Sequence, residues 1–191
     1  VPGYGKVFDA LERGYLTMFR QQLAALEALD TDVAFLVEHD VLYSPSHFQF
    51  TPQRDDTFYY NINVWRLRLV DGHAVRTDTC QQTSGLCAHR DLLIQHYQKR
   101  LAAVEASGGY QRHFGFEPGT NGWSRGLDGF DSASWSSAFP NIDIRHDANL
   151  TRSKWSPADY RNKRNAIGWQ ETDGDIPGWG TIQEIVRTLK S

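Results

Sequence analysis

The chain lacks the long hydrophobic run that a membrane-spanning helix requires. No stretch of about 18 apolar residues occurs in it, and no signal-peptide pattern is present. Cysteine is also scarce, since Cys80 and Cys87 are the only two, and we expect both thiols to be reduced. The sequence therefore predicts a soluble, cytoplasmic protein without a membrane span.

Several motifs of known chemistry are missing as well. Neither the Gly-x-Gly-x-x-Gly fingerprint nor a Gly-rich Lys-Ser loop is present, which argues against a dinucleotide-binding or P-loop protein. There is no Gly-x-Ser-x-Gly, so nothing points to a serine hydrolase. The cysteines could be combined with His89 and His96 into a zinc site, but their spacings fit no zinc-finger pattern.

The composition fits one globular domain spanning residues 1–191. Apolar residues make up 40% of the chain and aromatic residues 13%, with six tryptophans, so one core can be buried. The net charge of −3 does not indicate a nucleic-acid-binding protein as a whole. Residues 145–164 nevertheless hold six Arg or Lys against two Asp. This basic stretch is either a solvated surface or a contact for phosphate groups.

Hydrophobic periodicity predicts an α/β domain with a mixed sheet and flanking helices. An amphipathic helix over residues 8–29 leads into the apolar run 33–37, which we expect to be a strand covered on both faces, as in half of a βαβ unit. Asp71-Gly72 predicts a hairpin turn. The other predicted segments are a strand at 58–69, a helix from 91 to about 107, an irregular stretch at 115–140, a strand at 141–146 and a helix at 181–189.

Two acids and a histidine follow predicted strands. Glu38 and Asp40 come directly after the apolar run, and His146 ends the alternating segment 141–146. Ligands gather at the carboxyl ends of strands in α/β sheets. Carboxylates suit Mg²⁺ or Mn²⁺, and an imidazole favours Mn²⁺. The pattern predicts a divalent-metal site, although paired acids are also common on solvated surfaces.

The order of three short motifs resembles a GT-A-type, metal-dependent glycosyltransferase, over residues 6–155. The motifs are Phe35-Leu36-Val37-Glu38-His39-Asp40, Ser84-Gly85-Leu86-Cys87-Ala88-His89-Arg90 and Ile144-Arg145-His146. The family's usual Asp-x-Asp is Glu-x-Asp here. The resemblance implies a hexosyltransferase-like enzyme with a GT-A-like sheet, a UDP-sugar donor and Mn²⁺ or Mg²⁺. The family's N-terminal nucleotide-binding part is not found in the chain, so we expect either that it is missing or that the fold is abridged.

The resemblance also implies roles for individual residues. A metal held by Asp40 and His146, with Glu38, would bridge the departing diphosphate. The basic side chains of Arg152 and Lys154 would add positive charge at the same phosphates. Two further members of the donor site would be Trp155, as a lid, and Gly85. An ordinary basic loop is the plain alternative for the segment after His146.

An inverting transfer would also need a base for the acceptor hydroxyl. Glu117, Asp128 and Asp131 lie in the irregular segment, and Asp128 is preferred among them. Each of these acids could equally be a turn or helix-cap residue.

The acceptor and the function class remain open at the level of sequence. A saccharide or lipid-linked glycan is one acceptor, and hydroxymethylated DNA, as used by bacteriophage base-modifying glycosyltransferases, is the other. A non-catalytic module that binds glycans or nucleic acid through Trp-rich loops is an alternative from another class. A metal-dependent hydrolase with the same ligands is a third possibility.

Overall fold

The described residues form a mixed α/β fold of helices and mixed sheets, as the sequence predicts. The structure is a computed structural model, and it describes residues 14–147, 149 and 152–190. These residues form two compact units: residues 14–35, 52–59 and 87–133 make unit 1, and residues 36–51, 60–86 and 134–190 make unit 2. No helix in the described ranges combines the length and the apolar character needed to cross a membrane.

Four α-helices and eleven strands occur in the described residues. The helices are α1 Tyr15–Glu27, α2 Arg90–Ala106, α3 Gly122–Asp128 and α4 Ile182–Lys190. The strands are β1 Val33–Phe35, β2 Val41–Leu42, β3 Thr57–Asn61, β4 Val64–Arg68, β5 Ala74–Arg76, β6 Leu86–His89, β7 Asp131–Trp135, β8 Asn141–Arg145, β9 Gln170–Thr172, β10 Asp175–Ile176 and β11 Gly180–Thr181.

Unit 1 is built around the packing of α1 against α2. The ring of Phe19 on α1 lies 6.1 Å from that of Tyr97 on α2, and both side chains are fully buried. Most of a four-stranded sheet, in the order β1-β6-β3-β7, belongs to this unit. Aromatic side chains carry large apolar areas, so such pairs contribute strongly to the stability of a small core.

Unit 2 contains a mixed five-stranded sheet in the order β2-β8-β4-β5-β9. Its central pair, β4 and β8, is parallel, and the other pairs are antiparallel. One side of the sheet packs on α4 and on the β10–β11 hairpin. The buried members of this core are Trp65, Leu67, Ala74, Ile142, Ile144, Ile176, Ile182 and Ile185.

The register of the parallel pair gives this sheet one apolar face and one charged face. Leu67 stands beside Ile144, while Arg66 stands beside Asp143. Successive side chains on a strand point to opposite faces. Because Leu67 and Ile144 belong to the core under α4, Arg66 and Asp143 lie on the other face. The candidate site is built at the end of that charged face.

The structure corrects the prediction of a doubly covered strand at residues 33–37. β1 ends at Phe35, occupies the edge of its sheet and pairs antiparallel with β6. Only Ala34 is buried, and Val37 is 55% exposed. An edge strand is paired on one side only, so its apolar residues do not require burial on both faces. The half βαβ unit was therefore a wrong prediction.

Two further segments differ from the sequence prediction. The strand predicted over residues 58–69 divides at Ile62-Asn63 into β3 and β4, which belong to different sheets. The segment 115–140, predicted to be irregular, contains α3 and β7. α3 begins at an Asn121 cap, whose side chain accepts the Ser124 N–H, and it ends at Gly129 with a positive φ of 83°.

The remaining elements agree with the prediction. The hairpin at Asp71-Gly72 joins β4 to β5, and α2, β8 and α4 lie close to the predicted segments. Neither cysteine forms a disulfide. The helix predicted from residue 8 is described from Tyr15 onward, because residues 1–13 lie outside the described part.

Candidate functional site

A cavity of about 330 Å³ in unit 2 opens where the two parallel strands end. β4 ends at Arg68 and β8 at Arg145, and these two residues stand side by side in the register. Loops after parallel strands carry no further ladder hydrogen bonds, so a ligand can enter at this edge. The cavity is lined by Arg68, Leu69, Val70, Arg145, His146, Asp147, Ser153, Trp155 and Lys190.

The lining of the cavity is predominantly cationic. Among the described residues that line it, Arg68, Arg145 and Lys190 are positively charged and Asp147 is the one carboxylate. A concave, partly desolvated surface with an excess of one charge concentrates ions of the opposite sign. The cavity is therefore suited to an anionic ligand.

Arg145 is held in the cavity wall by contacts with Asp143 and Ser153. Its side chain is only 12% exposed, and Nη1 lies 3.4 Å from each carboxylate oxygen of Asp143. Its Nε donates to the Ser153 hydroxyl at 2.9 Å. Burial raises the pKa of Asp143, and the adjacent Arg145 opposes that shift. The guanidinium is thus positioned before any ligand binds.

Arg68 is held by a carboxylate on one side and an indole ring on the other. Its Nε donates to Asp71 at 2.8 Å, and Nη2 lies 2.6 Å from the second carboxylate oxygen. The guanidinium carbon lies 4.7 Å from the centre of the Trp155 ring, within cation–π range. Trp155, predicted to cover the donor site, therefore lies in the cavity wall with its ring against Arg68.

Asp40 and His146, the predicted metal ligands, are brought close together by the sheet. Asp40 directly precedes β2, and its carbonyl accepts the Ile144 N–H of β8 at 2.8 Å. This antiparallel pairing places Asp40 Oδ2 4.0 Å from His146 Nε2. Asn149 Nδ2 donates to the same carboxylate oxygen at 2.7 Å. Residues far apart in sequence thus meet at the edge where the cavity opens.

The described residues do not form a preformed metal site around this pair. Two donors at right angles on a Mg²⁺-sized cation lie about 3.0 Å apart, since each bond is roughly 2.1 Å, and Asp40 and His146 are farther apart. In residues 14–147, 149 and 152–190, no three His, Cys, Asp or Glu side chains are grouped to hold a metal ion. The exposed Glu38 is thus not placed as a third ligand, and its N–H donates to the Tyr43 hydroxyl. Binding of Mn²⁺ or Mg²⁺ stays a prediction.

The other predicted donor-site residues lie elsewhere in unit 2. Lys154 Nζ sits 4.3 Å from the centre of the Tyr160 ring, and Arg152 is exposed, so neither lines the cavity. Gly85 is buried, and an added Cβ would lie 2.8 Å from the backbone oxygen of Asn61. This glycine therefore permits close packing against β3.

Arg68, Arg145 and Lys190 were not among the predicted site residues. The alternation of β4 and β8 is visible in the sequence, but it does not reveal which face each arginine occupies. For the two arginines, the signal in the sequence is that the alternating segments of β4 and β8 both end in arginine.

The three predicted acid candidates belong to unit 1, whereas the cavity is built from unit 2 alone. Asp131 is exposed, and its carboxylate lies 3.6 Å from Arg125 Nε. Burial raises the pKa of Glu117, while hydrogen bonds from backbone N–H groups and the charge of Arg100 oppose that rise. A raised pKa is one property of a general base, but no contact among the described residues pairs the Glu117 carboxylate with a reacting group.

Asp128 belongs to a buried hydrogen-bond chain with His96 and Arg100. Arg100 Nε donates to His96 Nε2 at 2.9 Å, so the proton of a neutral His96 is on Nδ1 and is donated to Asp128 at 2.5 Å. Burial lowers the pKa of His96, as does the charge of Arg100. Arg100 and the side chains of His96 and Asp128 are fully buried. Because both imidazole nitrogens of His96 make hydrogen bonds, we interpret these three side chains as a structural network.

Comparison with protein-family models, with curated proteins and with solved structures found no match for this chain. The case for a function therefore depends on the residues and their geometry.

Proposed function

We propose that the chain is a glycosyltransferase that binds the diphosphate of a UDP-sugar in the cavity of unit 2 and transfers the sugar to a hydroxyl acceptor. The observation that carries this proposal is the cationic cavity at the carboxyl ends of β4 and β8, with Trp155 in its wall. The resemblance of the three short sequence motifs to GT-A-type glycosyltransferases supports the same assignment, and a GT-A-like fold is part of this proposal.

The chemistry follows from where negative charge develops. In the transfer, the bond between the anomeric carbon and the diphosphate oxygen breaks. The acceptor oxygen forms the new bond to that carbon and releases its proton to solvent water. Nucleoside diphosphate leaves with an additional negative charge. Arg145 and Arg68, which are already held in place, would stabilise that charge without reorganising. The ring of Trp155 would shield the phosphates from water on one side.

No step of this proposal passes through a metal ion. Asp40 and His146 provide two donors, which is fewer than a preformed site for Mn²⁺ or Mg²⁺ requires. Metal dependence is tested in the binding experiment below by including and omitting Mn²⁺.

The acceptor is proposed to be either a glycan or a hydroxymethylated DNA base. Exposed basic side chains in the segment after His146, such as Arg152, would suit the phosphates of a DNA backbone. A glycan acceptor requires no such charge. Parallel transfer assays with both acceptors, measuring release of UDP, distinguish them.

The test is UDP binding by isothermal titration calorimetry with the full chain, with and without Mn²⁺. Arg68→Gln removes a cavity cation whose partner Asp71 is exposed, so the fold should tolerate it. We expect UDP affinity to fall about tenfold or more, as loss of a charge-assisted hydrogen bond predicts.

Arg54→Gln is the matched control. Arg54 makes the same two-pronged contact with the exposed Asp56, at 2.8 Å for both bonds, but belongs to unit 1. Its UDP affinity should equal that of the unmodified chain. Equal effects of the two substitutions, or no UDP binding at all, would overturn the proposed site. Binding of UDP without transfer to either acceptor would favour the alternative of a non-catalytic binding module.

A further inference from the structure

Arg66 is a buried cation with unused hydrogen-bonding capacity. It lies on the charged face of the five-stranded sheet and is only 9% exposed. Its Nη1 donates to the Tyr160 hydroxyl at 2.5 Å. Its Nε and Nη2 are buried and have no hydrogen-bond partner among the described residues. A guanidinium carries five N–H donors in a fixed fork, so most of this fork is left without an acceptor.

Such an arrangement is costly unless a ligand or ordered water supplies oxygen atoms. A buried donor left without an acceptor loses its hydration with no compensating bond, and the penalty is larger for a charged group. Asp143 lies beside Arg66 in the sheet register, but its carboxylate is shared with Arg145. The unused face of Arg66 therefore points to an oxyanion as the missing partner.

Arg66 also lies close to the cavity described above. It precedes Arg68 by two residues on β4, so both project from the same face, with a spacing of about 6.6 Å along the strand. Tyr160 contacts two cations, since Lys154 Nζ lies 4.3 Å and the Arg66 guanidinium carbon 5.9 Å from the centre of its ring.

We propose that Arg66 forms a second phosphoryl subsite, so that the diphosphate of the donor spans from the cavity at Arg68 and Arg145 to Arg66. This inference rests on the proposed function and names the part of the site that distinguishes a diphosphate from a single phosphate. The Tyr160 hydroxyl engages only Nη1 of Arg66, so the ligand oxygens would accept from Nε and Nη2.

A diphosphate fits this arrangement better than a carboxylate or a lone phosphate. Its two phosphoryl groups share one bridging oxygen, and their outer oxygens can reach two side chains that are two residues apart on a strand. A carboxylate or a lone phosphate would bind either Arg66 or Arg68 and would not reach the other side chain. The subsite therefore predicts selectivity for pyrophosphate over phosphate.

The experiment compares the binding of inorganic pyrophosphate and inorganic phosphate to the full chain by calorimetry. The main variant is Arg66→Met combined with Tyr160→Phe, which replaces both hydrogen-bond partners by apolar groups and should leave the fold intact. We expect pyrophosphate affinity to fall about tenfold or more, while phosphate affinity changes less than about twofold. Arg54→Gln again serves as the control that alters neither affinity.

A second variant keeps the inference testable if the double substitution impairs folding. Tyr160→Phe alone frees Nη1 of Arg66, so pyrophosphate should bind more tightly while phosphate binding stays unchanged. Unaltered pyrophosphate affinity in both variants would show that Arg66 is satisfied by water only, and the inference would fall. If Arg68→Gln still weakened pyrophosphate in that case, the proposed function would stand. Failure of the unmodified chain to bind pyrophosphate would remove both.

Discussion

Removing the carboxylate of Asp128 tests whether this residue supports the fold of unit 1 or acts as a base. The side chains of Asp128 and His96 are 0% exposed, and so is Arg100. Asp128→Ala would remove the carboxylate that accepts the buried Nδ1 proton of His96. Breaking a buried charged network from one side costs about 3–5 kcal/mol of the free energy of unfolding. Asp128→Asn keeps one acceptor oxygen for His96, so we expect a loss of about 1–3 kcal/mol.

The measurement is urea denaturation followed by circular dichroism, with the free energy of unfolding and its urea dependence compared among variants. Asp131→Ala is the matched control, because that carboxylate lies three positions away, is 78% exposed and contacts Arg125 only at 3.6 Å. Its free energy of unfolding should change by less than about 0.5 kcal/mol. The structural interpretation fails if Asp128→Asn leaves stability unchanged but abolishes sugar transfer, since Asp128 would then be the base.

Three further outcomes follow from other buried groups. Burial lowers the pKa of His47 from 6.5 to about 4, so on acidification the unfolded chain binds this proton before the folded chain does. The free energy of unfolding should therefore fall as pH drops from 6.5 to about 4. A urea midpoint that stays constant over that range would contradict this. Gly85→Ala would force a Cβ within 2.8 Å of the Asn61 oxygen, and its melting temperature should reveal a loss of about 1–3 kcal/mol. Burial raises the pKa of Cys87 to about 12. A thiol reagent should therefore label the half-buried Cys80 much faster than Cys87 at neutral pH. Equal labelling rates would contradict the burial of Cys87.

Local patterns in the sequence were sufficient to predict most elements. The periodicity of α2 and α4 and the Asp71-Gly72 turn depend on residues that are neighbours along the chain, and these were confirmed. The run at residues 33–37 misled because apolar composition alone does not distinguish a central parallel strand from an edge strand. That distinction depends on which strand pairs with it, and here the partner is β6.

The candidate site shows the same division. Asp40 and His146 were predicted to meet at the carboxyl ends of two strands. The structure finds them 4.0 Å apart, but Asp40 precedes β2 and reaches His146 through the antiparallel pairing of β2 with β8. The predicted third ligand, Glu38, is not grouped with them. A side chain outside a regular strand is not fixed by period-two alternation, so its direction could not be predicted from spacing.

The sequence by itself determined the mixed α/β class and the main helices, because these depend on local periodicity. Only the tertiary structure decided that Arg68, Arg145 and Lys190 share one cavity and that Arg66 is buried with two unused donors. The reason is physical: strand register and burial depend on contacts between residues far apart in the chain. Those contacts set which charges face each other and which lose their water.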